Sequence, residues 1–130
     1  MAKQPYPCMG DDEWRCLNEA VRGLEDCRRL GAEPDLNRLL PREDGPIRRR
    51  TLVELIKIDQ EHRYQAASPR LLEVYLDAWP ELTTDAELLV ELLESECMTR
   101  MAIGESPIHE EFTTRFPEIA HCIDLGEIAA

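Results

Sequence analysis

The sequence predicts an all-α fold, either a helical bundle or a short α-solenoid of about six to seven helices. Apolar residues recur at three- and four-residue spacing, which is typical of helices. No segment shows sustained apolar–polar alternation bounded by hairpin turns, so strands are not predicted. A pattern of a long helix followed by a short helix recurs at an offset of 37 residues. Repeats of this length indicate stacked helical pairs.

Composition limits the classes of function. The chain has 130 residues, with 27 Asp and Glu against 15 Lys and Arg, and a formal net charge of -12. Its hydrophobic content of 43% is enough for a core. The acidity argues against nucleic acid and anionic membranes as partners, because both are bound through Lys and Arg. No apolar run approaches the ~18 residues of a membrane-spanning helix.

The predicted organisation is a single helical domain over residues 11–130 that follows a flexible N-terminus of residues 1–10. The predicted parts are a degenerate unit 11–41, a repeat 47–82, a repeat 84–119 and a terminal helix 118–128. Net negative charge lies entirely in the second part of the chain. Residues 1–50 carry ten basic and ten acidic side chains, whereas residues 51–130 carry five and seventeen.

The first helix is predicted from one apolar stripe. The stripe consists of Trp14, Leu17, Val21, Leu24, Cys27 and Leu30. Acidic residues precede it and Arg28 and Arg29 close it, in agreement with the helix dipole. Gly31 stands where a left-handed C′ residue is expected. A short helix is then predicted over 35–40, with Pro34 in its first turn and Pro41 ending it.

The second pair of helices is predicted from residue 46 onward. A long helix runs to about residue 67, with Leu55, Asp59 and Arg63 near one face. Ser68 followed by Pro69 reads as a cap and a first-turn proline, which open a short helix through residue 78.

The third pair opens with Thr84 and Glu87, which match a capping box. The long helix that follows should end at Gly104. Ser106 followed by Pro107 repeats the cap-and-proline opening of a short helix, and Phe116 followed by Pro117 closes it.

The repeat itself is the strongest signal. Residues 52–56, Leu-Val-Glu-Leu-Ile, recur as residues 89–93, Leu-Val-Glu-Leu-Leu. At the same offset of 37, Arg63 matches Arg100, Tyr75 matches Phe112 and Trp79-Pro80 matches Phe116-Pro117. A weaker copy lies upstream, where Gly31 and Leu39 precede Gly104 and Phe112 by 73 residues. One helical pair cannot bury its apolar face alone, so neighbouring pairs are expected to cover each other.

Five arginines are candidate partner-binding residues: Arg48, Arg49, Arg50, Arg63 and Arg100. The triplet 48–50 opposes the dipole of a helix that starts there, so a negative group should offset it. That group is either the chain's own acidic part or an acidic or phosphorylated partner. Arg63 and Arg100 either bind the last carbonyls or a neighbouring Glu of their own helices, or together bind such a partner. The structural alternative is favoured for both.

The aromatic pairs Tyr75 with Trp79 and Phe112 with Phe116 have four-residue spacing within the short helices. Core packing against the preceding long helix is the favoured interpretation, and a groove for a partner helix is the alternative.

Catalysis is not predicted. The six glycines form no phosphate-binding loop, and no kinase or nucleophile-elbow motif is present. Acidic residues such as Glu91 and Glu94 are interpreted as a solvated face. The five cysteines include no CxxC pair and follow no signal peptide, so we expect a cytoplasmic protein without disulfides, metal or cofactor. Cys16, Cys27 and Cys97 are expected to be buried apolar residues.

A family resemblance covers roughly residues 14–119. Residues 52–59 (LVELIKID), 61–64 (EHRY), 75–76 (YL) and 79–82 (WPEL) resemble the helical region that precedes the catalytic domain in many planctomycete serine/threonine protein kinases. The form there is similar to LVELVKIDLEYRW, a Gly/Pro turn and EDYLARFPEL. Here Ala66-Ala67 replaces the usual glycine of the turn. The resemblance implies a bacterial, non-catalytic regulatory or scaffolding segment.

The predicted function is therefore a protein–protein interaction module, regulatory or scaffolding and kinase-associated. Its expected partner is a protein, either a serine/threonine kinase domain or a basic protein surface. The alternatives are a free-standing adaptor that self-associates as a homo-oligomer, and a small metal- or redox-linked protein that uses Cys97 or Cys122.

Overall fold

The structure, a computed structural model, describes residues 10–43 and 45–119. The prediction of an all-α fold is confirmed: these residues form six α-helices and one 3-10 helix, without a strand. The elements are α1 (Asp11–Arg29), α2 (Leu36–Leu39), α3 (Pro46–Gln65), α4 (Leu72–Ala78), a 3-10 helix (Pro80–Thr84), α5 (Ala86–Ala102) and α6 (His109–Arg115).

The chain divides after Leu55 into two compact units, so α3 contributes to both. The prediction of one domain over residues 11–130 stays a prediction. The terminal helix predicted over 118–128 lies, from residue 120 onward, outside the described residues, as does the N-terminus up to residue 9.

The first unit contains α1, α2 and the start of α3. Its buried apolar residues are Leu17, Ala20, Leu24, Leu36, Leu40, Leu52, Val53 and Leu55. Gly23 lies against α2, because a Cβ atom at this position would stand 2.7 Å from the Cδ2 atom of Leu39. The predicted stripe was wrong at its end, since Leu30 is 80% exposed. Cys16 was also predicted to be buried and is exposed.

The second unit is built around α5. Its buried apolar residues are Ile56, Tyr64, Leu72, Tyr75, Leu76, Trp79, Leu82, Leu89, Leu92, Leu93, Cys97, Phe112 and Ile119. The second part of α3 and α5 run in the same direction, because Lys57 pairs with Glu91 and Gln60 with Glu96. Tyr75 and Phe112 are buried, as core packing requires.

All three long helices end in the same backbone motif. The residue at C′ has positive φ: Gly31 at 77°, Ala67 at 58° and Gly104 at 95°. In each case its N–H and the next N–H bond back to carbonyls of the last turn, the pattern of a Schellman motif. The buried residues Leu55 and Leu92 likewise stand twelve residues before Ala67 and Gly104. The order of long helix, left-handed residue and short helix thus recurs.

The predicted starts of the short helices were wrong. Pro34 precedes α2 rather than opening it, since the Asp35 carboxylate caps the helix by accepting a hydrogen bond from the Asn37 N–H at 3.1 Å. Helices α4 and α6 begin three or more residues after Ser68 and Ser106. Their N-cap residues are Leu71 and Ile108, which have no side-chain cap.

The capping box predicted at Thr84 was also wrong. Thr84 belongs to the 3-10 helix, and its hydroxyl donates to the Glu81 carbonyl at 2.8 Å. Asp85 is the N-cap of α5 instead, where its carboxylate accepts from the Leu88 N–H at 3.2 Å.

Candidate partner-binding groove

An open groove of about 600 Å³ lies between the second part of α3 and α5. We call it the α3–α5 groove. It is lined by Lys57, Glu61 and Gln65 from α3 and by Glu91, Glu94, Ser95, Met98, Thr99, Ala102 and Ile103 from α5 and its C-cap.

The two faces of α5 explain the groove. One face is buried and consists of Leu89, Leu92, Leu93, Glu96 and Cys97. The groove residues Glu91, Glu94, Met98 and Ala102 recur at three- and four-residue spacing, so they share a different face of the same helix. Met98 is 59% exposed and the C-cap residue Ile103 is 42% exposed. The apolar part of the groove is therefore open to a partner.

Carboxylates dominate the charge of the groove. Among the described residues that line it, Lys57 is the one cationic side chain, and it forms an ion pair with Glu91 across the groove. Glu61 accepts a long hydrogen bond of 3.4 Å from Gln65. Glu94 has no ion-pair partner among the residues that the structure describes. Two carboxylates thus remain available beside the apolar residues.

Beneath the groove face, a buried carboxylate holds α5 in place. Glu96 is fully buried and accepts hydrogen bonds from the Gln60 amide at 3.1 Å and from the Leu72 N–H at 3.0 Å. Arg115 donates to its two oxygens at 2.6 and 3.0 Å. The Nη1 atom of Arg100 lies 3.5 Å from the Oε2 atom of Glu96. We call this set the Glu96 centre, and it joins side chains or backbone of α3, α4, α5 and α6.

Two further carboxylates surround Arg115. Glu73 of α4 accepts from its Nε atom at 2.8 Å, and Glu111 of α6 accepts from its Nη1 atom at 2.8 Å. Hydrogen bonds from Arg100 and then Arg115 hold the pKa of Glu111 below its ordinary value. Burial works to raise the pKa of Glu73, but the hydrogen bonds and charge of Arg115 outweigh it, so that pKa is lowered as well.

The corresponding set of the earlier copy, the Asp59 centre, lies 37 residues earlier in the chain. Asp59 is buried and accepts from the Arg63 Nε atom at 2.8 Å and from the Tyr75 hydroxyl at 2.5 Å. Burial raises the pKa of Tyr75, and the hydrogen bond to the Asp59 carboxylate raises it further. The hydroxyl therefore stays protonated and serves as a donor.

The five predicted arginines lie outside the α3–α5 groove. Arg48 donates to the Pro41 carbonyl at 2.8 Å, Arg50 lies 3.5 Å from Glu54, and Arg49 is half-buried. Arg63 and Arg100 form the ion pairs of the Asp59 and Glu96 centres. For Arg63 and Arg100, these contacts agree with the favoured interpretation that each binds an acidic group of its own helix. A partner-binding role for any of the five stays a prediction.

The sequence reasoning missed Glu96, Arg115 and Gln60. A signal for Glu96 was present, since it matches Asp59 at the repeat offset and precedes Arg100 by four residues, as Asp59 precedes Arg63. Arg115 matches Ala78 at that offset, so the repeat carried no hint of it.

Cys97 is fully buried, and burial raises the pKa of its thiol to about 11. A thiol in this environment is a poor nucleophile at neutral pH. Cys122 lies outside the described residues. Among residues 10–43 and 45–119, no group of three or more His, Cys, Asp or Glu side chains is placed to hold a metal ion.

In the same two ranges, no helix combines the length and the apolar character needed to cross a bilayer. No protein-family model, curated protein or solved structure matches the chain significantly.

Proposed function

We propose that this chain is a non-catalytic protein–protein interaction module, regulatory or scaffolding, that binds its partner in the α3–α5 groove. The observation that supports this most is the groove itself, in which exposed Met98 and Ile103 lie beside unpaired or weakly bonded carboxylates. Concave surfaces that combine apolar area with a few polar groups are typical ligand sites.

The Glu96 centre supports the same proposal. It fixes α5 through contacts to three other helices, so one wall of the groove is held rigidly before a partner arrives. A preorganised surface binds more tightly because less conformational freedom is lost on association.

The partner proposed is a protein of a bacterial cytoplasm, with a serine/threonine kinase domain as the first candidate. This part of the proposal is supported by the sequence resemblance over residues 14–119. In that arrangement, the module binds a kinase or places another protein beside it.

Site-specific photocrosslinking tests the proposal. A photoreactive amino acid is placed at Met98 in the groove and, as a control, at Leu30, which is more exposed but lies in the first unit. We expect one protein to be crosslinked from Met98 and not from Leu30. Loss of this crosslink in a Met98-labelled chain that also carries Ile103→Ser would place the contact in the groove. Equal crosslinking from both positions, or none from Met98, contradicts the proposal.

Self-association is a second candidate function, favoured by exposed aliphatic residues at the start of α4. Leu71, the N-cap residue, and Val74, in the first turn, are 43% and 49% exposed. Light scattering over a concentration series distinguishes this candidate. A dimer that Leu71→Ser and Val74→Ser convert to monomer supports it, and a monomer at every concentration contradicts it.

A further inference from the structure

We infer that the occupant of the α3–α5 groove is a basic amphipathic α-helix, an inference that rests on the proposed function and names the chemistry of its partner.

The length of the groove suits about three helical turns. Its α5 residues run from Glu91 to Ala102, which corresponds to about 16 Å at 1.5 Å per residue. Two long helices that run in the same direction form its walls. Ridges of side chains on a third helix can pack between such walls.

A helix suits this surface better than an extended peptide. Extended peptides gain affinity by adding a strand to an exposed sheet edge. The described residues contain no strand and therefore offer no such edge. Recognition of a helix instead depends on side chains at i, i+3 or i+4 and i+7, which an apolar groove can bind.

The apolar contact would form at Met98 and Ile103. Both are exposed, and they lie on the last turns of α5 and its C-cap. Methionine is flexible and polarisable, so it adapts to aliphatic side chains of different shape. The partner helix therefore needs an apolar stripe rather than one defined residue.

The charge identifies the partner as basic. Residues 56–119 contain 14 acidic and five basic side chains. Of the five, Arg63, Arg100 and Arg115 are bound to carboxylates of the two buried centres, and Lys57 is paired within the groove. Glu61 and Glu94 at the rim form no ion pair with any residue that the structure describes. Lys and Arg beside the apolar stripe of the partner would complement them, whereas a second copy of this acidic surface would be repelled.

Fluorescence anisotropy with designed peptides tests the inference on the full chain. The probe is a labelled, end-blocked peptide of ~14 residues, about four helical turns, with leucines on one helical face and lysines on the other. One control peptide has the same composition in scrambled order. A second keeps the leucines and replaces every lysine by glutamate. We expect the probe to bind at least about tenfold more tightly than either control, which corresponds to about 1.4 kcal/mol.

Matched variants locate the binding. Glu61→Gln with Glu94→Gln should weaken the probe about fivefold, as expected for two exposed ion pairs. Glu81→Gln with Glu110→Gln removes the same charge from exposed positions outside the groove and should change binding less than twofold. Met98→Ser should weaken binding about tenfold, while Leu30→Ser should not.

Three results of the peptide measurements would overturn the inference. They are equal binding of the scrambled peptide, equal binding of the glutamate peptide, and equal loss in the two double variants. A crosslink from Met98 to a protein without a basic helix would also overturn it but leave the proposed function standing. Absence of any Met98 crosslink would remove the proposed function itself.

Discussion

The Asp59 and Glu96 centres occupy matching positions in two copies of the same helical pair, yet each satisfies its buried carboxylate differently. Asp59 is bound by Arg63, four residues on, and by the hydroxyl of Tyr75. At the position of Tyr75 the later copy has Phe112, whose ring has no donor. Glu96 instead takes its donors from other helices. A buried charge is thus kept by whichever donors are in reach.

The first unit provides a third version of the same position. Gly23 stands eight residues before the left-handed Gly31, as Asp59 and Glu96 stand before Ala67 and Gly104. Leu39, eight residues after Gly31, lies against Gly23. In the first unit the aliphatic Leu39 packs against Gly23. This position therefore has neither the buried carboxylate of the other two copies nor a need for hydrogen-bond donors.

The largest loss of stability is expected when Glu96, the carboxylate of the later centre, is removed. Glu96→Ala removes the buried carboxylate that binds Arg115 beside Glu73 and Glu111, and it removes the acceptor of the Leu72 N–H, which is left desolvated. We expect a loss of about 3–5 kcal/mol in the free energy of unfolding, measured by urea denaturation. Glu94→Ala, two residues away in the groove, should change it by less than about 0.5 kcal/mol. Similar losses of unfolding free energy in the two variants would show that the Glu96 centre contributes no more to stability than an exposed carboxylate.

The next effect is expected at Tyr75. Tyr75→Phe gives the first copy the ring of the second and removes the hydroxyl that donates to Asp59. The free energy of unfolding should fall by about 1–3 kcal/mol, because a buried carboxylate loses a donor.

Tyr64→Phe is the matched control for this change. Tyr64 is also buried, but its hydroxyl has no hydrogen-bond partner within the described ranges. This variant should be within about 0.5 kcal/mol of the parent. A loss at Tyr64 equal to that at Tyr75 would mean that the hydroxyl of Tyr75 contributes nothing through Asp59.

Exchanging alanine and glycine at the two left-handed positions, Ala67 and Gly104, compares the ends of α3 and α5. Gly104→Ala should destabilise by about 1 kcal/mol, because an L side chain is strained at a φ of 95° although the space beside it is open. Ala67→Gly should stabilise by about 0.5 kcal/mol, since relief of strain at a φ of 58° exceeds the added freedom of the unfolded chain. Thermal unfolding of both variants checks the signs, and a destabilising Ala67→Gly would contradict this account.

The smallest effect concerns pH. The pKa of Glu111 is lowered in the folded chain, so its contribution to stability is present above its unfolded pKa and is lost as pH falls through the lower, folded value. Glu111→Gln should destabilise at pH 7, by at most about 1 kcal/mol, and should make less difference at pH 3. The measurement is the urea concentration at the midpoint of unfolding, at pH 7 and at pH 3. Glu110→Gln, at an exposed neighbouring position, is the matched control, and an equal change in that variant would contradict this account.

The contrast between the centres also explains what could be predicted from the sequence. Leu55, Leu92, Tyr75 and Phe112 follow from periodicity and the repeat, because burial of apolar side chains is a local pattern. The start of α4 does not, because its first N–H is capped by Glu96, which is 24 residues away in the chain. When the capping side chain belongs to another helix, the residues next to the capped helix contain no capping motif.

The acidity of residues 51–130 predicted a basic partner surface, but nothing in the sequence predicted the position of the α3–α5 groove. Its position depends on which face of α5 the Glu96 centre turns inward. In that centre Glu96 is bound by Arg115, for which the earlier copy has only Ala78. Contacts of this kind are not encoded in the spacing of residues along one helix.

The capping of α4 by Glu96 also sets an order of events during synthesis. On the ribosome, residues 72–78 leave the exit tunnel before Glu96, and Glu96 leaves it before Arg115 neutralises the charge. The first amide of α4 therefore gains its Glu96 cap only after translation has passed residue 96 of the following copy.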